Sequence, residues 1–324
     1  MLTEAIFRAL ADGSRLRILR LLGSMELAVG EIAQVLGQSQ PRVSRHIAIL
    51  CDTGLVERRK EGSWVFLRIG AADGEAGGLQ GAILALLATA ERGDAEFARA
   101  CDGDRRRLAE IRSARELSAQ DYFAAHAEDW DELRRLHSSD EQVEAALGDL
   151  LGERPLGDLL DIGTGTGRMA ELFAGSARHI VALDRSLAML RVARAKLQHL
   201  PADKVELVQG DFSDLPFGDG RFDTVLFHQV LHFAQDPADA LAEAARVTRA
   251  QGWIAIVDFA AHGREELRER HEHARLGFTD EQMESMLAGA GYESGAPMAL
   301  EDGELVVKIW TGVRAGADNA KEAV

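Results

Sequence analysis

The densest group of chemistry-bearing residues is Leu159-Leu160-Asp161-Ile162-Gly163-Thr164-Gly165-Thr166-Gly167-Arg168. An apolar stretch there reaches an acid, turns through three alternate glycines and enters a helix carrying Met169, Leu172 and Phe173. Glycines at that spacing let the backbone turn sharply and approach a ligand with no Cβ in the way. A dinucleotide site needs its third glycine where this chain has Arg168, and an acid stands two positions before the first glycine, so the pattern disfavours NAD and favours S-adenosylmethionine. Asp184, 17 positions past Gly167, ends the next apolar run. A carboxylate there can accept both ribose hydroxyls, or simply start a helix. In Gly210-Asp211-Phe212, Asp211 can accept from an adenine amino group and Phe212 can pack on the base.

Methyl transfer is an in-line displacement that needs alignment and sometimes one base. His228 and His232 follow the fourth strand-like run of this region and read either as a base facing the pocket or as buried, cofactor-contacting histidines. The catalytic residues are not legible. His271-Glu272-His273 reads as an exposed helix face without the further ligands a metal would need. The two cysteines, Cys51 and Cys101, give neither a disulfide framework nor a metal spacing and read as small hydrophobes.

A second constellation lies near the N-terminus. Val43, Ile47 and Leu50 recur at helical spacing and should face a core, which leaves Gln40, Arg42, Ser44 and Arg45 turned outward. Such a face suits a major groove, where Arg pairs with guanine, Gln pairs with adenine, and Ser or helix-start amides hold phosphate. His46 lies towards the core side and reads as structural or as a base contact. Arg58, Arg59 and Lys60 are placed at the tip of a hairpin, where they reach an adjacent backbone or form a solvated turn.

The elements that must carry these residues follow from periodicity. Four helices are predicted within residues 1–52: Asp12 caps the second, Gly23-Ser24 ends it, Gly37 closes the third, and Ser39 caps the fourth. A hairpin follows, with Leu55-Val56 and Trp64 to Leu67 flanking Lys60-Glu61-Gly62-Ser63. Residues 71–78 read as a loose connection and 79–90 as a helix with Leu79, Ile83, Leu84, Leu86 and Leu87 on one face. Residues 95–150 read as helical, with Tyr122, Phe123, Trp130 and Leu133 as apolar anchors. Strands are then expected at 159–162, 180–183, 205–208, 224–227, 253–257 and 305–309, alternating with amphipathic helices as in a parallel sheet covered on both faces. Residues 314–324 read as a frayed tail.

The 324 residues suit two domains. The net charge of −16 is uneven: residues 1–70 hold 10 Lys/Arg against 7 Asp/Glu, and the remainder 27 against 46. A mildly basic module on an acidic body can bind phosphate locally while the body opposes indiscriminate binding. With no apolar run near the ~20 residues of a membrane span and no secretory pattern at Met1–Leu10, a cytoplasmic protein is expected.

Three separated segments, 11–19, 43–50 and 54–62, resemble in order and spacing the ArsR/SmtB family of winged-helix regulators. The resemblance implies a homodimer pairing through its first and last helices, the latter at Ile83–Ala90, and a double-stranded DNA operator. Where metal-sensing members carry cysteines, this chain reads Glu26-Leu27-Ala28-Val29-Gly30-Glu31, so no metal is expected. The glycine-rich run, Asp184, Gly210-Asp211-Phe212, Asp214-Leu215-Pro216-Phe217, Phe222-Asp223 and Ala242 to Gly252 resemble the class I methyltransferase superfamily. That likeness implies a seven-stranded sheet with an antiparallel last strand, Asp161 near the methionine amino group, Gly163 to Gly167 along the carboxypropyl arm, and an N-terminal lid near Tyr122 and Trp130, which read equally as core packing.

The expected fold is therefore an N-terminal α+β winged helix-turn-helix over 1–92, a helical linker and lid over 93–150, and a C-terminal α/β Rossmann-like class I methyltransferase fold over 151–312. Contacts to S-adenosylmethionine or S-adenosylhomocysteine are expected from Asp161, Gly163, Thr164, Gly165, Gly167, Asp184, Arg185, Met189, Gly210, Asp211, Phe212, His228 and Tyr122. The architecture resembles S-adenosylhomocysteine-responsive repressors of methionine-cycle genes, which implies a ligand-responsive repressor. An active small-molecule methyltransferase with an autoregulatory DNA-binding domain is the alternative, and a DNA-binding protein with a vestigial cofactor fold a third.

Overall fold

A computed structural model describes residues 2–61, 64–70, 78–131, 140–152, 155–201, 203–301 and 303–316. The chain divides into two compact units, Met1–Glu116 and Leu117–Val324. The expected loose connection at 71–77, the hairpin tip at Gly62-Ser63, the anchor Leu133 and the tail from 317 lie outside the described residues.

The first unit opens with helices α1 (Leu2–Leu10), α2 (Gly13–Leu22), α3 (Val29–Leu36) and α4 (Gln40–Asp52). Asp12 stops α1 from running into α2 because its carboxylate caps α2, accepting from the Ser14 and Arg15 amides at 2.9 and 3.2 Å. Gly37 closes α3 in the left-handed conformation, φ 63°, where a side chain would be strained. Ser39 stands at the N-cap of α4 but caps through its backbone carbonyl, which accepts from Arg42 and Val43, and not through its hydroxyl. Val43, Ile47 and Leu50 of α4 are buried with Ile18, Leu22, Ile32 and Val35 in one core, as their spacing requires.

Strands β1 (Leu27–Ala28), β2 (Val56–Glu61) and β3 (Trp64–Ile69) form an antiparallel sheet in the order β1-β3-β2. β1 was not expected. Two residues carry no periodicity, and this strand exists only through its pairing of Leu27 and Ala28 with Leu67 and Phe66. The arms of the hairpin are also longer than composition suggests. Arg58, Arg59 and Lys60 lie within β2, opposite Leu67, Phe66 and Val65, and not at the tip, because cross-strand pairing carries the strand through the charged residues.

Helix α5 (Leu79–Gly93) buries Ile83 and Leu87 and leaves Leu79 and Leu86 exposed. Helix α6 (Ala95–His126) crosses the boundary between the units in sequence. Its residues up to Glu116 belong to the first unit, where Leu108 joins the core and Arg17 forms a two-point ion pair with Asp104, the Nε–Oδ2 distance being 2.6 Å. The helical stretch from residue 93 is thus divided between the two units at Glu116.

The second unit continues with α7 (Asp140–Gly152), β4 (Asp158–Ile162), α8 (Arg168–Phe173), β5 (His179–Asp184), α9 (Leu187–Leu197), β6 (Val205–Gln209) and β7 (Phe222–His228). After a 3-10 turn at Leu231–Phe233 come α10 (Pro237–Val247), β8 (Thr248–Phe259), α11 (Glu265–Arg270), α12 (Asp280–Gly289), β9 (Tyr292–Ser294), β10 (Met298–Leu300) and β11 (Val307–Arg314). Among the described residues the sheet has eight strands, in the order β10-β11-β8-β7-β4-β5-β6 with β9 beside β11. β4 to β8 are parallel, and β9, β10 and β11 pair antiparallel.

Alternate residues of the central strands feed opposite layers. Leu159, Ile180, Leu226 and Val257 pack with α7, α8 and α9, while Leu160, Val181, Val225 and Ile256 pack with α10 and α12. The six strand runs read from the sequence become eight, one more than the resemblance implies, because β9 and β10, each three residues, are specified by pairing to β11 and not by an apolar pattern. The last strand likewise runs on past Ile309 to Arg314, Gly312 passing so close to Tyr292 that a Cβ on it would stand 3.1 Å from the Tyr292 Cβ. Among the described residues no helix is long and apolar enough to cross a membrane.

Candidate functional site

The chain order β4, β5, β6 runs outward on one side of β4, then returns to place β7 on the other. That reversal makes the carboxyl ends of β4 and β7 the switch point of the sheet, the place where open α/β sheets bind ligands. The glycine loop stands there. Gly163, Gly165 and Gly167 have φ of 67°, 55° and 84°, a conformation that L side chains rarely adopt. At Gly163 space forbids one as well, since a Cβ would lie 2.5 Å from a Val230 methyl.

The acids expected at the strand ends are held by backbone amides and hydroxyls. Asp161 is buried and its Oδ2 accepts from the Thr164 hydroxyl at 2.5 Å, while the Thr164 amide donates to the Leu183 carbonyl. Asp184 accepts from the Gly165 amide at 2.9 Å and from the Ser186 amide at 2.7 Å, so the acid ending β5 is fastened to the tip of the glycine loop. Burial raises the Asp184 carboxyl above the usual carboxylate range, against the pull of the Ser186, Gly165 and Arg185 amides.

Asp211 accepts from the Ser213 amide and hydroxyl, and Arg185 approaches its other oxygen at 3.4 Å, so Arg185 and Asp211 meet across the ends of β5 and β6. Gly210 donates to the Asp184 carbonyl and Phe212 is half-buried against the core layer of α10. Met189 is buried in the first turn of α9, its amide donating to the Ser186 hydroxyl. His228 is buried at the end of β7.

Tyr122 lies two aromatic rings away from the glycine loop. Its hydroxyl shares a 2.7 Å hydrogen bond with His271 Nδ1, and its ring is 4.3 Å from that of His126. Burial, with the nearby Glu272, pushes the Tyr122 hydroxyl up; burial, with His126 and Arg270, pushes His271 down. The expected exposed face at 271–273 is overturned. These residues follow α11 in a turn where Glu272 has φ 57°, and His273 is buried with its ring stacked on His232 at 4.1 Å. Tertiary packing of the two imidazoles outweighs the polar composition that made the segment read as surface.

Asp258, Asp131 and Lys196 carry interactions that the sequence did not single out. His232 Nδ1 is 2.7 Å from Asp258 Oδ1, and the same carboxylate accepts from the His232 amide, holding the 3-10 turn to the end of β8. The signal was an acid directly after the apolar run Ile254 to Val257. Asp131 accepts from Thr166 Oγ1 at 2.6 Å and pairs with Lys196; its signal was the adjoining Trp130.

In the first unit Gln40, Arg42 and Arg45 are exposed on α4, and Ser44 and His46 are half-buried. His46 Nδ1 stands 3.7 Å from the Asp12 carboxylate, which directs it to the start of α2. Arg58 is exposed near the Cys51 thiol. Arg59 turns inward instead: it bonds Glu26 at 2.8 Å and lies over the Phe66 ring at 5.1 Å, tying β2 to the residue before β1. Lys60 remains exposed.

Comparison with known proteins matches residues 12–58 to the bacterial regulatory protein, arsR family, and residues 160–256 to a methyltransferase domain. The arsenical resistance operon repressor of Escherichia coli K12 is 44% identical over 70 residues, 21% of this chain and 60% of that one. The demethylmenaquinone methyltransferase of Renibacterium salmoninarum is 35% identical over 112 residues, 35% of this chain and 45% of that one. The chain thus spans about half the length of these curated relatives. Among solved structures, a chain from the complex of the Haloferax volcanii Trm112 methyltransferase activator with a methyltransferase shares the fold. It has TM-score 0.52 and 20% identity, with 61% of this chain and 97% of that chain covered.

Proposed function

Because the chain joins an arsR-family helix-turn-helix DNA-binding domain to a class I methyltransferase domain, we propose that it is a transcriptional repressor whose second domain binds S-adenosylmethionine or S-adenosylhomocysteine as effector. The observation that carries this reading is the pairing, in one chain, of an exposed polar face on α4 with a glycine loop fastened to Asp184 at a sheet's switch point. The Gly165 and Ser186 amides, with the Arg185 amide nearby, use only part of the Asp184 carboxylate's capacity, which leaves it able to accept from the ribose. Asp161 and Thr164 would take the amino end of the ligand, Gly163 to Gly167 its chain, and Asp211 and Phe212 the adenine. Gly163 packs against the Val230 side chain with no room for a Cβ, which fixes the turn of the loop that would carry the ligand.

On DNA, Arg42 and Arg45 would read or grip the major groove with Gln40 and Ser44 at the helix start, and Arg58 and Lys60 would touch the flanking backbone. Leu2 and Phe7 of α1 and Leu79 and Leu86 of α5 are large apolar side chains left exposed, which supports a homodimer paired through these helices. The effector acts by preferring one arrangement of that dimer, a coupling of typically ~1–3 kcal/mol. The targets we propose are methionine-cycle genes. A gel shift on their upstream DNA, with and without each nucleoside, tests the reading: operator affinity should change with ligand, and an unchanged shift would remove the sensor role.

A second reading, an active methyltransferase on a small molecule, is favoured by the histidine wall of His232, His271 and His273 beside Tyr122. His232 is oriented there by a buried acid, the arrangement a general base uses. S-adenosylmethionine would supply an electrophilic methyl group, and the chain's own part would be to align an acceptor and take its proton. Turnover of labelled S-adenosylmethionine with a metabolite extract distinguishes the two, with loss of label transfer in H232A expected only for the enzyme.

A further inference from the structure

Three segments far apart in sequence converge on the glycine loop. Trp130 and Asp131 lie just past the turn that follows α6, Thr166 is in the loop itself, and Lys196 is in the last turn of α9. The Trp130 indole stands over Gly165, its Nε1 3.6 Å from the point where a Cβ would be, and its edge packs on Phe123 at 5.2 Å and towards Phe233 at 6.3 Å. Gly165 is also the residue whose amide bonds Asp184. The indole and the acid therefore meet the same loop residue from two elements.

Directly beside it, the Asp131 carboxylate takes the Thr166 hydroxyl and the Lys196 ammonium, and Lys196 also donates to Thr166 at 3.1 Å. Core packing alone would seat an indole without such a clasp. Here a carboxylate, a hydroxyl and an ammonium from three elements close a small hydrogen-bonded ring, in which Thr166 is buried and the two charged members are partly open to water. Partly solvated ion pairs are weak fastenings, suited to a wall that opens to admit a ligand and closes on it.

Resting on the adenosyl-binding reading above, we propose that Trp130 is the closing wall of the ligand crevice and that Asp131, Thr166 and Lys196 form the latch that seats it. Trp130 is then a binding residue, and Asp131 and Lys196 are positioning residues acting through it. The latch makes ligand retention depend on a charge pair outside the adenosyl contacts themselves, so loosening it speeds release of the ligand.

The test titrates the full chain with S-adenosylhomocysteine by calorimetry and by tryptophan emission. Ligand should change the emission of the wild type and of W253F, but not of W130F. D131A and K196M should each weaken binding at least tenfold through faster dissociation, with their combination no worse than the stronger single change, as expected for two halves of one clasp. Thermal melts check that each variant is folded, and the more exposed K196M stands in if D131A is not. An emission change that survives in W130F, or D131A and K196M proteins that bind as tightly as wild type, would overturn the latch while leaving the adenosyl site intact. A wild-type chain that binds no adenosyl nucleoside would sink the underlying reading and the latch with it.

Discussion

Replacing Asp184 by Asn tests the crevice most sharply, because the structure says what the charge does there. The carboxylate accepts two loop amides, and burial raises its pKa, so folding disfavours its ionised form. The sign follows: with the folded pKa above the unfolded one, stability falls as pH rises from the ordinary aspartate range through the raised value. Ribose hydroxyls donating to the carboxylate favour the ionised form, so ligand binding opposes this shift. Affinity should therefore weaken as pH falls through that raised range. In D184N one oxygen still accepts an amide, the other is replaced by a donor, and two charge-assisted hydrogen bonds to the ribose are weakened or lost.

At ~1.5–3 kcal/mol for each bond to a charged group, and allowing for non-additivity, the loss is about 2–4 kcal/mol, or roughly 30- to 1,000-fold in Kd. The orphaned amide costs the fold ~1 kcal/mol more. Calorimetry with S-adenosylhomocysteine across pH 4–8 reads both effects, the variant being weak and flat where the wild type falls off in acid. A D184N protein that binds within about threefold of wild type, or keeps the acid limb, would refute the assignment of Asp184.

Other substitutions separate fold from function. D104N breaks the Arg17 pair at a side chain only 2% exposed; discounted for the partial exposure of Arg17, the loss should be about 2–3 kcal/mol by denaturant melts, with no change in the sheet unit's ligand affinity. R45A should weaken operator binding by ~1–3 kcal/mol and relax sequence preference, whereas R59A, which loses Glu26 and the Phe66 face, should lower stability with little change in the salt slope of DNA binding; equal salt slopes for R45A and wild type would be acceptable only if base preference changes. G163A forces a φ of 67° on alanine and places its Cβ 2.5 Å from Val230, so adenosyl binding should be lost and the melting temperature lowered; wild-type binding would show that the loop can relax.

Much of this arrangement was legible because its residues obey local rules. Asp161, the glycines and Asp184 sit where strand ends and tight turns must be, and Val43, Ile47 and Leu50 where a helix must face a core. What the sequence hid was set by partners distant in the chain. β1 and β10 exist only through pairing, and Arg59 reads as a wing cation until Glu26, 33 residues away, is found beside it. His273 reads as surface until it meets His232. The Asp131–Lys196 clasp joins residues 65 apart, with no motif in either segment to announce it.

The central claim is that occupancy of the crevice and grip on DNA are one linked equilibrium. The most direct measurement selects a duplex from a random pool with the full chain, then follows its binding by fluorescence anisotropy at saturating S-adenosylhomocysteine, at saturating S-adenosylmethionine and with neither. The account predicts that at least one nucleoside moves the DNA Kd by roughly 5- to 150-fold and that the duplex moves the affinity for that nucleoside by the same factor. Tight binding of both DNA and nucleoside with the two affinities independent of each other would contradict it.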